Sequence, residues 1–223
     1  MIEANEIFSD NDKRIALSCD IAGDTSDLAN LANEILENHI DLISVSPDVV
    51  SFIWTCLEKS KVKILVRFDF NPLQKNIDKN IYELAEQITA VWKHGATGVQ
   101  VSMKPNDFIY FSDAILPVRD DLFFEHDLCI GFDIKHIGIS DWDMIFDKLR
   151  SIRANSLFLT LGEDMGNRSD FVGRVYGMLS KWNFDGQLYF GLSNDYERID
   201  QAIRLIESEK PELSERVRFF LDC

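Results

Sequence analysis

Residues 129–136 have the sequence CIGFDIKH, and their alternation predicts a strand of a parallel sheet with charges at its end. Alternate positions are apolar, and those between them are small or charged: Ile130, Phe132 and Ile134 against Gly131, Asp133 and Lys135. Because successive side chains of a strand point to opposite faces, the apolar set can pack under helices while the charged set faces the other side. We expect that other side to be the inside of a barrel, near its mouth.

Strand-like runs alternate with helix-like runs along the rest of the chain. The eight strand-like runs span residues 14–20, 41–46, 62–70, 97–104, 128–135, 156–162, 187–193 and 217–222. The helix-like runs between them span residues 25–39, 48–60, 80–95, 107–115, 140–153, 169–183 and 195–210. This alternation predicts parallel βαβ units of the α/β class. Eight such strands favour a parallel (β/α)8 TIM barrel over an open doubly wound sheet.

The length of the chain fits this barrel. Its 223 residues are enough for a single (β/α)8 barrel domain over residues 1–223. The eighth strand-like run ends at residue 222, so the barrel is expected to lack a normal eighth helix. The apolar outer faces of strands one and eight would then need cover from residues 2–8 and from a second subunit, which predicts a homodimer.

Charge and composition narrow the possible partners and cofactors. The formal net charge of −15 repels phosphodiester backbones and anionic lipid, so neither nucleic acid nor membrane is expected as a partner. The acidic N-terminal residues lack the apolar stretch of a signal peptide, which predicts a cytoplasmic protein. The four cysteines and four histidines show no metal-binding spacing, so neither a metal nor another cofactor is expected.

Polar residues recur at inward positions near the ends of the strands. The candidate catalytic residues are Asp20, Lys104, Asp133 and Lys135. The candidate substrate-binding residues are Arg67, Asp69, Gln100, Ser193 and Asn194. Barrel cores are normally filled by branched apolar side chains, and barrel enzymes place their chemistry at the C-terminal ends of the strands. The set therefore predicts a small-molecule site at the mouth, although each charged pair alone fits a structural ion pair equally well.

Inward lysines on an eight-stranded barrel resemble the arrangement of the class I aldolases, at the level of the fold. In that family a lysine attacks a carbonyl and forms a Schiff base. The transaldolase group carries this lysine on strand four, which matches Lys104. The resemblance implies an aldolase-like lyase acting on a small carbonyl compound, with Lys104 or Lys135 as nucleophile. Asp133 or Asp20 would carry the proton.

Two other functions stay open at this point. Asp20 and Asp133, on strands one and five, resemble the carboxylate pair of the ribulose-phosphate-binding barrels, which implies an isomerase or epimerase of sugar phosphates. Those barrels usually bind phosphate in glycine-rich loops after strands seven and eight, where this chain has GLSND at residues 191–195. A catalytically idle barrel that binds a partner is the third possibility. The sequence therefore does not decide whether the chain is an enzyme.

Overall fold

Eight parallel strands close into a barrel in the computed structural model of the protein. The structure describes residues 14–19, 25–71, 77–123, 125–161 and 168–223. Each strand pairs with the next one in sequence, and the last pairs with the first through the register Ser18–Asp222. The predicted parallel α/β barrel is thereby confirmed, and the open sheet is excluded.

The strands are mostly shorter than the runs that predicted them. They are β1 Ile15–Cys19, β2 Leu42–Val45, β3 Lys63–Asp69, β4 Gly98–Ser102, β5 Asp127–Asp133, β6 Ser156–Thr160, β7 Gln187–Gly191 and β8 Val217–Asp222. The helices are α1 Thr25–Glu37, α2 Val50–Leu57, α3 Ile77–Lys93, α4 Pro105–Ile115, α5 Arg119–Phe123, α6 Trp142–Ser151, α7 Arg168–Lys181 and α8 Tyr196–Glu209. Within the described ranges, no helix combines the length and the apolar character needed to cross a membrane.

A layer of mostly apolar side chains fills the middle of the barrel. One residue from each of seven strands contributes to it: Ala16, Leu42, Leu65, Cys129, Phe158, Tyr189 and Phe220. The rings of Phe158, Tyr189 and Phe220 contact one another with centroids between 5.0 and 6.5 Å apart. This layer closes the barrel below its C-terminal mouth, so a ligand entering from the mouth meets an aromatic floor.

The ends of β4 and β5 correct the prediction for two lysines. Lys104 and Lys135 are predicted on these strands, but β4 ends at Ser102 and β5 at Asp133. Lys104 is exposed and precedes Pro105, which suits the first turn of a helix and holds the residue before it extended. Lys135 lies in a 3-10 turn, because the Asp133 carboxylate accepts a hydrogen bond of 3.0 Å from the Lys135 backbone N–H.

The outer face of β8 is buried within a single chain. Val217, Phe219 and Leu221 are 1%, 0% and 7% exposed, whereas Ile15 and Leu17 of β1 are partly buried. The apolar surface left for a second subunit to cover is therefore smaller than the sequence indicates. Residues 2–8, which the sequence predicts as part of the cover, lie outside the described residues.

Candidate functional site

A polar cavity of about 600 Å³ opens at the C-terminal ends of the strands. Every strand except β5 contributes to its described lining, directly or through the residues that follow it: Ser18, Ser46, Pro47, Arg67, Asp69, Gln100, Ser102, Phe158, Thr160, Leu161, Gly191, Ser193 and Asp222. Many of the polar members stand two residues apart on one strand, so they share the inward face. Phe158 belongs to the aromatic layer and forms the floor. The site is therefore a polar bowl on an aromatic base.

Arg67 carries the one positive charge among the described lining residues. Its Nη1 donates to Ser18 Oγ at 2.8 Å, and its Nη2 donates to the Cys19 carbonyl at 3.1 Å. These contacts fix the guanidinium against the end of β1. The carboxylates of Asp69 and Asp222 are also in the lining, so one cation and two anions leave it with a net charge of −1. Within the described residues, no cluster of histidine, cysteine, aspartate or glutamate has the makeup of a metal site.

Gln100 presents an acceptor that the described part of the protein leaves unsatisfied. The side chain is 2% exposed, and its Nε2 donates to Ser102 Oγ at 3.1 Å. Its Oε1 is buried and receives no hydrogen bond from the described residues. A buried acceptor without a donor destabilises a protein by about 1–3 kcal/mol. Because Oε1 has almost no exposed surface, a ligand hydroxyl could reach it only after the Gln100 side chain turns.

Two glycines give the cavity its width. A Cβ on Gly131 would lie 2.6 Å from Ser102 Oγ, and one on Gly191 would lie 2.7 Å from Phe158 Cε1. Both distances are shorter than van der Waals contact, so a larger residue would displace a lining side chain. Gly131 stands between Ser102 and Phe158 in the strand register, and the Ser102 side chain fills the space that a side chain at Gly131 would take.

A lysine, an aspartate and a histidine cluster at the rim where β5 ends. Asp133 is the register partner of the cavity residue Thr160. Lys135 Nζ lies 3.3 Å from Asp133 Oδ2, and His136 Nε2 lies 3.8 Å from the same oxygen. The side chains of Lys135 and Asp133 are 31% and 22% exposed, so the pair is partly shielded and still open to a ligand. An amine beside a carboxylate and an imidazole has the groups needed for carbonyl attack and proton transfer.

Arg174 on α7 holds the turn that carries Lys135. Its Nη1 donates to the Lys135 carbonyl at 3.0 Å and lies 3.4 Å and 3.3 Å from the carbonyl oxygens of Ile134 and Ile137. Its Nε pairs with Asp170, one helical turn earlier, at 3.0 Å. The turn is therefore anchored to a helix, which gives Lys135 a defined position at the rim.

The structure separates the predicted site residues into three groups. Those that line the cavity are Arg67, Asp69, Gln100 and Ser193. Those that follow or end the strands at the mouth, outside the described lining, are Lys104, Asp133, Lys135 and Asn194. Asn194 Nδ2 donates to the backbone carbonyl of Asp222 at 3.3 Å and so contacts a residue of the lining. Asp20 lies outside the described residues.

Asp222, His136 and Arg174 belong to the site and are not among the predicted site residues. Asp222 lies on the inward face of β8, and the alternation of apolar residues along that strand already predicts this orientation. His136 joins the rim cluster through a turn that the sequence pattern does not indicate. Arg174 acts on a residue 39 positions away, and no local motif predicts such a contact.

Two thiols meet beside the cavity, at the seam between β1 and β8. The backbone N–H and the thiol of Cys223 both donate to the Ser18 carbonyl, at 3.2 Å and 3.3 Å. A hydrogen bond from the Cys19 thiol lowers the pKa of Cys223, and partial burial opposes this shift. Cys19 is buried and Cys223 is exposed. The seam therefore pairs one accessible thiol, which ionises easily, with one shielded thiol.

Comparison with solved structures identifies the kind of barrel. The aldolase QR15 superimposes with a TM-score of 0.69 at 12% identity, covering 96% of this chain and 92% of its own. The deoxyribose-phosphate aldolase from Aeropyrum pernix gives 0.64 at 13% identity, covering 94% and 85%. A protein of Coccidioides immitis for which the same activity is proposed gives 0.67 at 12% identity, covering 93% and 80%. This chain shares the (β/α)8 barrel fold of these proteins.

The resemblance predicted from the sequence is thus confirmed at the level of the fold. No protein-family model and no curated protein sequence matches the chain. With identities of 11–13% to the structural neighbours, the likeness establishes the architecture and leaves the reaction to be argued from the site.

Proposed function

We propose that the chain is an aldolase-type lyase that forms a Schiff base with a small hydroxylated carbonyl compound. The observation that carries the proposal is the Lys135–Asp133 pair at the rim of a polar cavity. This rim is the end of the barrel where enzymes of this fold place their chemistry. The aldolase activity of the structural neighbours supports the same reaction class.

In the proposed reaction Lys135 is the nucleophile. Its neutral amine adds to the substrate carbonyl, and loss of water leaves an iminium between Nζ and the substrate carbon. Asp133 accepts the proton of the β-hydroxyl while the carbon–carbon bond breaks, and the iminium takes up the electron pair as an enamine. Protonation of the enamine and hydrolysis by water release the second product and restore the lysine.

Lys135 is a better candidate than Lys104. Lys104 is exposed at the start of α4. Lys135 has a carboxylate partner, and Arg174 holds the turn on which it stands. Its flexible four-carbon stem can turn Nζ toward the cavity.

Borohydride trapping tests this proposal with matched lysine variants. The protein is incubated with small aldehydes, hydroxyketones and keto acids, reduced with sodium borohydride, and analysed by peptide mass spectrometry. We expect an adduct on Lys135 that survives in Lys104→Ala and is lost in Lys135→Ala. An adduct that survives in Lys135→Ala and is lost in Lys104→Ala, or no adduct with any compound, would contradict the proposal.

The carboxylates within the cavity favour a second candidate, an isomerase or epimerase that works by acid and base catalysis. Asp69 and Asp222 line the cavity from β3 and β8 and could move a proton between adjacent carbons of a sugar. Deuterium uptake from heavy water, followed by NMR, would then persist in Lys135→Ala and disappear in Asp222→Asn. Ligand binding without adduct or deuterium uptake would instead indicate a non-catalytic barrel.

A further inference from the structure

We infer that the cavity selects an uncharged, hydroxyl-rich carbonyl compound over its phosphate ester. The part of the inference that assigns a carbonyl group to the ligand rests on the proposed function. The preference for an uncharged ligand rests on the acceptors and charges of the described cavity.

The cavity offers acceptors that suit hydrogen-bond donors from the ligand. The carboxylates of Asp69 and Asp222 are exposed in the lining and accept hydrogen bonds. A sugar hydroxyl can donate to each of these groups, whereas a phosphate dianion presents strong acceptor oxygens and matches none of them.

The electrostatics of the lining also disfavour a phosphate. Arg67 is the one cation in the described lining, and two of its nitrogens already donate to Ser18 and Cys19. Asp69 and Asp222 outnumber it, so a dianion in this cavity meets a net negative wall. The formal charge of −15 on the whole chain acts in the same direction.

The corner where barrels of this kind commonly bind phosphate holds carboxylates in this chain. That corner lies between the loops after strands seven and eight, at a helix N-terminus. Here Asp222 lines the cavity, and Asp195 caps α8. The Asp195 carboxylate accepts a hydrogen bond from the Arg198 N–H at 3.1 Å, and its Oδ2 lies 3.3 Å from Arg198 Nε. The N-terminus of α8 is therefore already occupied by an anion, the Asp195 carboxylate.

Most of the other helix starts around the mouth follow the same pattern, although α2 has no acidic residue in its first turn. Four helices carry one there: Asp27, Asp107, Asp143 and Asp170. Each of these charges offsets the positive end of its helix dipole. In α4, Pro105 at the helix start also removes one N–H that could hold a phosphate oxygen. These four helix termini and that of α8 thus supply little attraction for a phosphate.

Titration calorimetry at low ionic strength tests the inference with 2-deoxyribose, its 5-phosphate and inorganic phosphate. We expect the sugar to bind about tenfold more tightly than the ester, because like charges repel across the cavity. Raising the salt concentration should narrow this difference. Asp222→Asn should improve binding of the ester. Asp185→Asn, which removes an exposed carboxylate before β7 at the opposite end of the barrel, should not.

The outcomes separate this inference from the proposed lysine chemistry. Tighter binding of the ester, competition by inorganic phosphate, or no binding of the sugar would overturn the inference. If the ester binds more tightly and still forms an adduct on Lys135, the lyase proposal stands and the inference fails. If the sugar binds preferentially without any adduct, the inference stands and the lysine chemistry fails.

Discussion

Single atoms decide the shape of the cavity at Gly191, where a methyl group would occupy the space of the Phe158 ring. A Cβ there lies 2.7 Å from that ring, whereas a Cβ on Gly173, in the exposed part of α7, meets no atom within 4 Å in the described structure. Gly191→Ala should lower the free energy of unfolding by about 1–3 kcal/mol through overpacking. Gly173→Ala should raise it by up to about 1 kcal/mol, because alanine favours a helix. Thermal denaturation measures both, and similar shifts in the two variants would contradict the predicted geometry.

The reactivity of each cysteine thiol is a second property that depends on its hydrogen bonds and burial. The pKa of Cys223 is lowered, so its thiolate forms at lower pH than that of an ordinary thiol. Cys223 should therefore react with iodoacetamide before Cys19 and Cys129, the two cysteines of the strands. Cys129 is fully buried, and burial raises its pKa to about 12, so it should react only after unfolding. Removing the hydrogen bond with Cys19→Ala should shift the pH profile of Cys223 alkylation to higher pH. Mass spectrometry follows each site, and an unchanged profile would show that the contact has no such effect.

For strands and helices, the spacing of apolar residues predicted every strand and most helices. It could do so because each helix packs one apolar face against the outside of the barrel, and each strand packs one face under the helices. The ends of β4 and β5 were not predictable in this way, because Pro105 and the Asp133 side chain end them locally. The five-residue helix α5 was also missed, since it is too short to show a period. It is held in place by Arg119, which donates to the Ile152 and Arg153 carbonyls at 2.8 Å and 2.9 Å.

The connection between α7 and the turn after β5 gives a prediction at this scale. Arg174→Met should slow borohydride trapping at Lys135 by about tenfold. The turn after β5 would lose its hydrogen bonds to Arg174, and Lys135 would no longer be held in one position. Arg204→Met is the matched control, since Arg204 makes the same kind of i,i+4 pair with Asp200 at 2.9 Å on an exposed face of α8. Both variants lose a surface pair worth about 0.3–0.5 kcal/mol. Equal trapping rates in the two variants would exclude a positioning role for Arg174.

At the scale of the whole molecule, the closed barrel and the polar bowl at its mouth follow from alternation along the strands. The contacts that complete the site could not be predicted, because they join residues far apart in the chain, as Arg174 and Lys135 do. The resemblance to aldolases pointed to the correct fold. It could not decide between Lys104 and Lys135, because their positions depend on where two strands end.

The homodimer remains a prediction about the whole molecule. Ile15 and Leu17 on β1 are only partly buried, and a second subunit that covers them would gain about 25 cal/mol per Å² of apolar surface. Light scattering at micromolar concentration should therefore give twice the mass of the chain, and Leu17→Lys should lower it to that of one chain. A single-chain mass for the unaltered protein would contradict the prediction and show that one chain covers this face by itself.

If the proposed reaction takes place where the polar cavity meets Lys135, a crystal structure of the borohydride-reduced complex with 2-deoxyribose should show the bond at that lysine. We expect continuous electron density from Lys135 Nζ into the cavity, with ligand hydroxyls within hydrogen-bond distance of the Asp69 and Asp222 carboxylates. Density joined to another lysine, or a ligand bound outside the residues that line this cavity, would contradict the proposal.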